Sequence, residues 1–117
     1  MAKYEKTLEG NFDELLEYLH NAITNGSVSA SYEDGSNITV GQIKLAVRVY
    51  ERYSIMGGNR VSLNITLIGD GQKLFVSAIT SGGSQAVFTK INTIGENTFL
   101  KLCSASVEKY ISQHELT

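Results

Sequence analysis

The order in which two hydrophobic periodicities follow one another constrains this chain most. A stretch with helical spacing, Asn11 to Thr24, precedes a long series of stretches that alternate every second residue from Ser27 to Ile91, and a second helical stretch closes the chain. Strands this close in sequence are joined by hairpins, because parallel strands need a long crossover between them. The order therefore predicts an α+β fold: a curved antiparallel sheet assembled as one strand, a helix, four or five strands and a closing helix, with both helices packed on one face. At 117 residues the chain is expected to form one domain, residues 1–117.

Asn11 can cap the first helix, with Glu14 at capping-box spacing, and Phe12, Leu15, Leu16, Leu19, Ala22 and Ile23 then share one face until Asn25-Gly26. Ahead of it, Tyr4, Lys6 and Leu8 alternate with Lys3, Glu5, Thr7 and Glu9 as a first strand. Thr93 with Glu96, or Asn97, opens the second helix, whose packed face is Phe99, Leu100, Cys103, Val107, Tyr110 and Ile111.

The middle of the chain yields to pairing arithmetic, since a correct register sets apolar residues opposite one another on the buried face. A two-residue turn at Asp70-Gly71 places Leu67 opposite Leu74 and Ile65 opposite Val76. A loop at Gly57-Gly58-Asn59 places Tyr53 opposite Leu63 and Val49 opposite Leu67, so that Val47, Leu45 and Ile43 also face inward. Gly82-Gly83 turns the chain once more, bringing Val87 opposite Ala78 and Ile91 opposite Leu74. Val28, Ala30 and Tyr32 form a strand leading through Asp34-Gly35-Ser36-Asn37 into the long one, in which Gly41 is read as a bulge because Ile38 and Val40 have the opposite parity to Ile43 and Leu45.

The run Gly82-Gly83-Ser84-Gln85-Ala86-Val87-Phe88-Thr89-Lys90-Ile91-Asn92, followed by Gly95-Glu96-Asn97-Thr98-Phe99-Leu100, resembles a family of small uncharacterised bacterial proteins with a TBP-like or Bet v 1-like (START-like) fold. The resemblance implies a helix-grip arrangement, a curved sheet holding a long C-terminal helix, in which larger relatives hold apolar ligands. It brings no catalytic residues to transfer.

Several function classes are weakened by composition. A formal net charge of −2 argues against nucleic acid, which calls for a basic surface. No apolar run approaches the roughly 20 residues that span a bilayer, and Met1 to Lys6 lacks the apolar core of a signal peptide, so a cytoplasmic location is expected. The lone cysteine, Cys103, falls on the packing face and reads as a small buried hydrophobe. His20 and His114 lie on different helices with no cysteine or carboxylate at ligand spacing, so neither a metal nor a cofactor is expected. Ile68-Gly69-Asp70-Gly71-Gln72-Lys73 lacks the following helix of a phosphate loop and reads as a hairpin. With no acid, base and nucleophile grouped together, the chain is not expected to be an enzyme.

Two binding readings remain. Under the first, a small apolar ligand sits between the sheet and the second helix; Glu51, by parity between Val49 and Tyr53, is its polar anchor with Tyr53 and Tyr32 nearby. A buried carboxylate is costly, and the plainer account of Glu51 sets it at the sheet rim in reach of water. Under the second, a cluster of Tyr50, Ile68, Phe75, Ile79 and Phe88, with Thr66, lies on the outer sheet face and mediates a homodimer or another protein contact. Lys44, Arg48 and Arg52 are read as a solvated basic row on that same outer face.

Overall fold

The computed structural model describes residues 1–26, 29–54, 59–82 and 89–115. Their elements run β1 (Ala2–Glu9), α1 (Phe12–Gly26), β2 (Ser31–Val40), β3 (Ile43–Ser54), β4 (Asn59–Asp70), β5 (Lys73–Gly82) and α2 (Thr89–Glu115). The fold is α+β: five strands form one open antiparallel sheet in the order β1-β5-β4-β3-β2. Both helices cover one face, α2 over β1, β5 and β4, and α1 beside it against α2 and β4.

Local chemistry explains the element ends. The Asn11 side chain accepts a hydrogen bond from the Glu14 amide at 2.9 Å, satisfying one of the donors a helix start leaves open. Two hairpins turn on the same dipeptide, Gly41-Gln42 closing the pair Val40/Ile43 and Gly71-Gln72 closing Asp70/Lys73. Each glycine has φ +61° while no described non-glycine residue has positive φ. Glycine at the first of two loop positions is the type II′ arrangement, whose twist suits adjoining strands.

The turn positions correct two sequence expectations. Gly41 is a turn residue, and the irregularity in β2 falls instead between Tyr32 and Asp34. The β4/β5 turn lies one residue later than Asp70-Gly71, so Leu67 faces Val76 and Ile65 faces Ala78. That two-residue register slip leaves both strands' apolar sides inward.

The β3/β4 difference is of another kind. Their register pairs Tyr50 with Leu63, Ala46 with Leu67 and Ser54 with Asn59, a three-residue shift from the arithmetic based on Gly57-Gly58-Asn59. An odd shift turns a strand over. Ala46 and Tyr50 are buried against the helices, whereas Ile43, Leu45, Val47, Val49, Glu51 and Tyr53 point to the opposite face.

The expected strand through Val87 and Ile91 is also corrected. Ile91 lies within α2, and the edge of β5 is taken by β1, with Leu8 opposite Leu74 and Tyr4 opposite Ala78. The Gly83 to Phe88 part of that expectation, like Val28, lies outside the described residues.

The core between sheet and helices draws Phe12, Leu15, Leu19 and Ile23 from α1, Phe99, Cys103, Val107 and Tyr110 from α2, and the inward residues of β3, β4 and β5. Tyr110 shows how closely it is filled. Its ring meets Tyr18 edge-on at 5.8 Å and lies 3.9 Å from the His114 ring, and its hydroxyl accepts the Asn11 amide at 3.1 Å. A Cβ on Gly10 would come within 2.8 Å of that hydroxyl, so the β1-α1 turn depends on glycine for close approach.

Candidate functional site

Among the described residues helices occupy one side of the sheet only, which leaves its second side as a broad surface. Reading the register across it gives a row Ile38, Leu45, Ile68, Phe75 on four neighbouring strands, ending at Thr7 on β1. The next row is Ser36, Val47, Thr66, Ser77, and beyond it lie Val49 and Ile79; on the other flank Val40 faces Ile43. Leu45, Val47, Val49, Ile68 and Phe75 are half-buried by one another, while Ile38, Val40, Ile43 and Ile79 stand exposed. Such a contiguous apolar surface is unlike the scattered exposed hydrophobics of ordinary exteriors.

Charge collects at its margins. Lys3 and Glu5 lie 3.9 Å apart on β1, and Arg60 Nη1 donates to Glu51 Oε1 at 2.9 Å near the opposite strand ends. A polar rim around an apolar centre is the usual anatomy of an interface.

The residues expected to form the outer cluster separate. Ile68, Phe75, Ile79 and Thr66 lie on this helix-free face. Tyr50 does not: it is buried at 1% exposure under α1, where its hydroxyl and His20 Nδ1 are 2.9 Å apart and its ring packs against Tyr32 at 5.7 Å. Burial pushes the Tyr50 phenol up to about 12. Phe88 lies outside the described residues.

The three residues assigned to a ligand do not converge either. Glu51 and Tyr53 share the helix-free face with Arg60, whose guanidinium lies 5.3 Å from the Tyr53 ring centre. Glu51 thus takes the rim position, because the overturned β3 carries it away from the core. Tyr32 is on the helix side, edge-on to His20 at 5.4 Å and half-exposed at the sheet margin. The basic row is corrected in the same way: Lys44, Arg48 and Arg52 are on the helix side, with Lys44 5.8 Å over the Phe12 ring and Arg52 4.8 Å over the Phe99 ring.

Between sheet and helices the described side chains fill the space with Tyr50, Tyr110, Phe99 and eight or more aliphatic neighbours at under 2% exposure. A cleft of about 560 Å³ lies outside that core, where α1 begins beside the two Gly-Gln turns, lined among others by Glu9, Asp13, Glu14, Lys44 and His114. His114 closes one wall, its Nε2 2.7 Å from Glu14 Oε1 and its Nδ1 2.9 Å from the Tyr110 carbonyl. Both contacts raise its pKa above the ordinary histidine value, the Tyr110 carbonyl most. Cys103 is wholly buried, and burial pushes its thiol up to about 12. Among the described residues no three His, Cys, Asp or Glu side chains are grouped to hold a metal ion, and no helix is long and apolar enough to cross a membrane.

Compared with known families, residues 1–111 match one described as a family of unknown function, DUF6054. The chain belongs to DUF6054. No curated protein matches it.

Sequence reasoning missed Ile38, Val40, Ile43, Leu45, Val47 and Val49 as outer-face residues of this DUF6054 chain. For Ile38 and Val40 only the pairing had a signal: Gly41-Gln42 repeats Gly71-Gln72, and reading both as two-residue turns pairs Ile38 with Leu45, which sets them on one face without saying which. For β3 no such signal exists, since its parity depends on how many residues between Ser54 and Asn59 belong to the loop.

Proposed function

We propose that this DUF6054 protein is a non-catalytic interaction domain whose helix-free sheet face associates with a second copy of the chain. One observation carries the reading: β3 turns its more apolar side, Ile43, Leu45, Val47 and Val49, away from its own helices, while Lys44, Arg48 and Arg52 take the helix side. Patterning that opposes burial within one chain is explained by burial between chains. Size supports a second copy as the occupant. Five strands about 4.8 Å apart and strands of about 10 residues at about 3.3 Å per residue give a face of roughly 800 Å². That is about one partner's share of a standard stable interface. An isologous contact needs a self-complementary surface, and an apolar field with both charge signs at its margins meets that condition.

The experiment is light scattering on wild type, Ile79→Glu and Phe75→Glu at about 50 μM. Ile79 is exposed, so its substitution leaves the monomer fold intact while placing beside Lys3 a charge that the interface would have to strip of water. Both variants are expected to lose mass relative to wild type. A monomeric wild type, or an Ile79→Glu variant of unchanged mass, overturns the reading.

A further inference from the structure

The two edges of the sheet are built differently. β1 is guarded: Lys3, Glu5, Lys6 and Glu9 fall within its eight residues. It is also tied to α2, where the Tyr4 hydroxyl donates to Glu108 at 2.6 Å and Lys6 Nζ lies 3.6 Å from the same carboxylate. Charges of this density on an edge oppose pairing with another strand. β2, at the other edge, is exposed at every residue but Gly35. Its two charges, Glu33 and Asp34, sit at the irregularity after Tyr32, and Gly35 to Val40 is an uncharged run without proline.

The hairpin geometry fixes which backbone groups that run offers. A two-residue turn closes on a hydrogen-bonded pair, here Val40 with Ile43, so Ile38 and Ser36 bond to β3 as well. The alternate residues Gly35, Asn37 and Thr39 therefore direct their amides and carbonyls outward. Gly35 conforms, since its amide donates to its neighbour's Asp34 Oδ1 at 2.8 Å.

We infer that β2 is a docking edge that pairs antiparallel with β2 of a second copy, joining two sheets of five strands into one continuous sheet. The two-fold axis passes Ile38. Asn37 of each copy then exchanges hydrogen bonds with Thr39 of the other, and the two Ile38 side chains meet as a close, non-hydrogen-bonded pair. On the helix-free face the row Phe75, Ile68, Leu45, Ile38 continues directly into its symmetry mate. Charge selects this pairing: it sets Asp34 level with the partner's Gln42, whereas an in-register parallel pairing would oppose Glu33 and Asp34 to themselves. The guarded β1 edge leaves the pairing closed at two copies instead of growing into a filament.

Asn37→Pro tests it with little cost to the monomer, because it deletes an amide that faces solvent and proline is tolerated on sheet edges at such positions. The folded variant, checked by circular dichroism, is expected to show half the wild-type mass by light scattering; an unchanged mass, or a monomeric wild type at about 100 μM, overturns the pairing. Should Asn37→Pro not fold, Ile38→Cys decides. Mild oxidation is expected to link it into a covalent dimer across the axis, with Cys103 too buried to compete. The linkage is measured in a Phe75→Glu background, so that stacking of the helix-free faces cannot produce it, and a failure to link there overturns the inference while leaving the face reading standing.

Discussion

On the helix-covered face every strand except β2 contributes at least one side chain buried below 10% exposure, and the contributors mesh with two helices. On the helix-free face the rows are equally regular, yet their largest members stay half-buried or exposed because none of the other described residues lies over them. β3 takes part in both, and it divides its residues against composition: small Ala46 and one tyrosine enter the core beside three basic residues, while the branched aliphatics face out. A strand's inner side is thus decided by what its neighbours can accept. Arg52 and Lys44 suit the helix side because their stems and cationic heads lie over Phe99 and Phe12 at the rim of the core, where the heads still reach water or a carboxylate.

The largest effect that could break this division comes from adjacent residues of β3. Ala46 is 1% exposed, so Ala46→Asp buries an unpaired carboxylate and costs several kcal/mol, a large part of a typical domain's stability of about 5–15 kcal/mol. Leu45→Asp places the same charge on the helix-free face, where the fold is expected to lose roughly 1 kcal/mol at most and the assembly to lose mass. Urea melts monitored by circular dichroism separate the two. A Leu45→Asp variant that unfolds while Ala46→Asp melts like wild type would reverse the faces of β3.

A smaller effect probes the seam between the two helices. His114 bridges the end of α2 to Glu14 in the first turn of α1, and its pKa lies above the ordinary value of 6.5. A raised folded pKa means that the protonated ring is bound better in the folded state, so the stabilisation is fully present below about pH 6.5 and is lost as pH rises through the higher folded value. The urea midpoint of wild type relative to His114→Gln is therefore expected to fall between pH 6 and pH 8. The effect is modest because the ring is 41% exposed. A difference that does not vary with pH would remove the charged bridge from the account.

Much of the fold was legible because amphipathic periods and turn residues act locally. The packed stripes of both helices, the alternation of β1, β4 and β5, and the antiparallel sheet with helices on one face follow from residues that interact within a few positions of one another. The same alternation places Ile68, Phe75 and Ile79 on the outer face, where the register sets them. What escaped depends on long-range choices. Tyr50 reads as exterior beside Arg48 and Arg52, and only the register with Leu63 and the approach of His20 draw it inside. The placing of β1 against β5 is equally invisible to local pattern, since it joins residues such as Tyr4 and Ala78 from opposite parts of the chain, and it displaces the strand expected through Ile91.

The smallest expected effect is the most direct test of the face that β3 presents. Glu51 lies on the helix-free side, its carboxylate 2.9 Å from Arg60 Nη1 and both side chains in contact with water. Glutamine keeps the size and one acceptor of the side chain and removes only a solvated ion pair, an interaction that contributes little at exposed positions. Urea midpoints of wild type and Glu51→Gln are thus expected to coincide at pH 5 and again at pH 8. A carboxylate shut away from water behaves otherwise: its charged form is penalised, so replacing it with a neutral amide would stabilise the protein at pH 8 and much less at pH 5, where the acid itself can be neutral. That pH-dependent gain would place Glu51 between Val49 and Tyr53 inside the core, turn β3 over, and return its aliphatic side to the helices. The apolar rows of the helix-free face would then lose Leu45, Val47 and Val49, and a second copy would have no outward aliphatic side of β3 to cover.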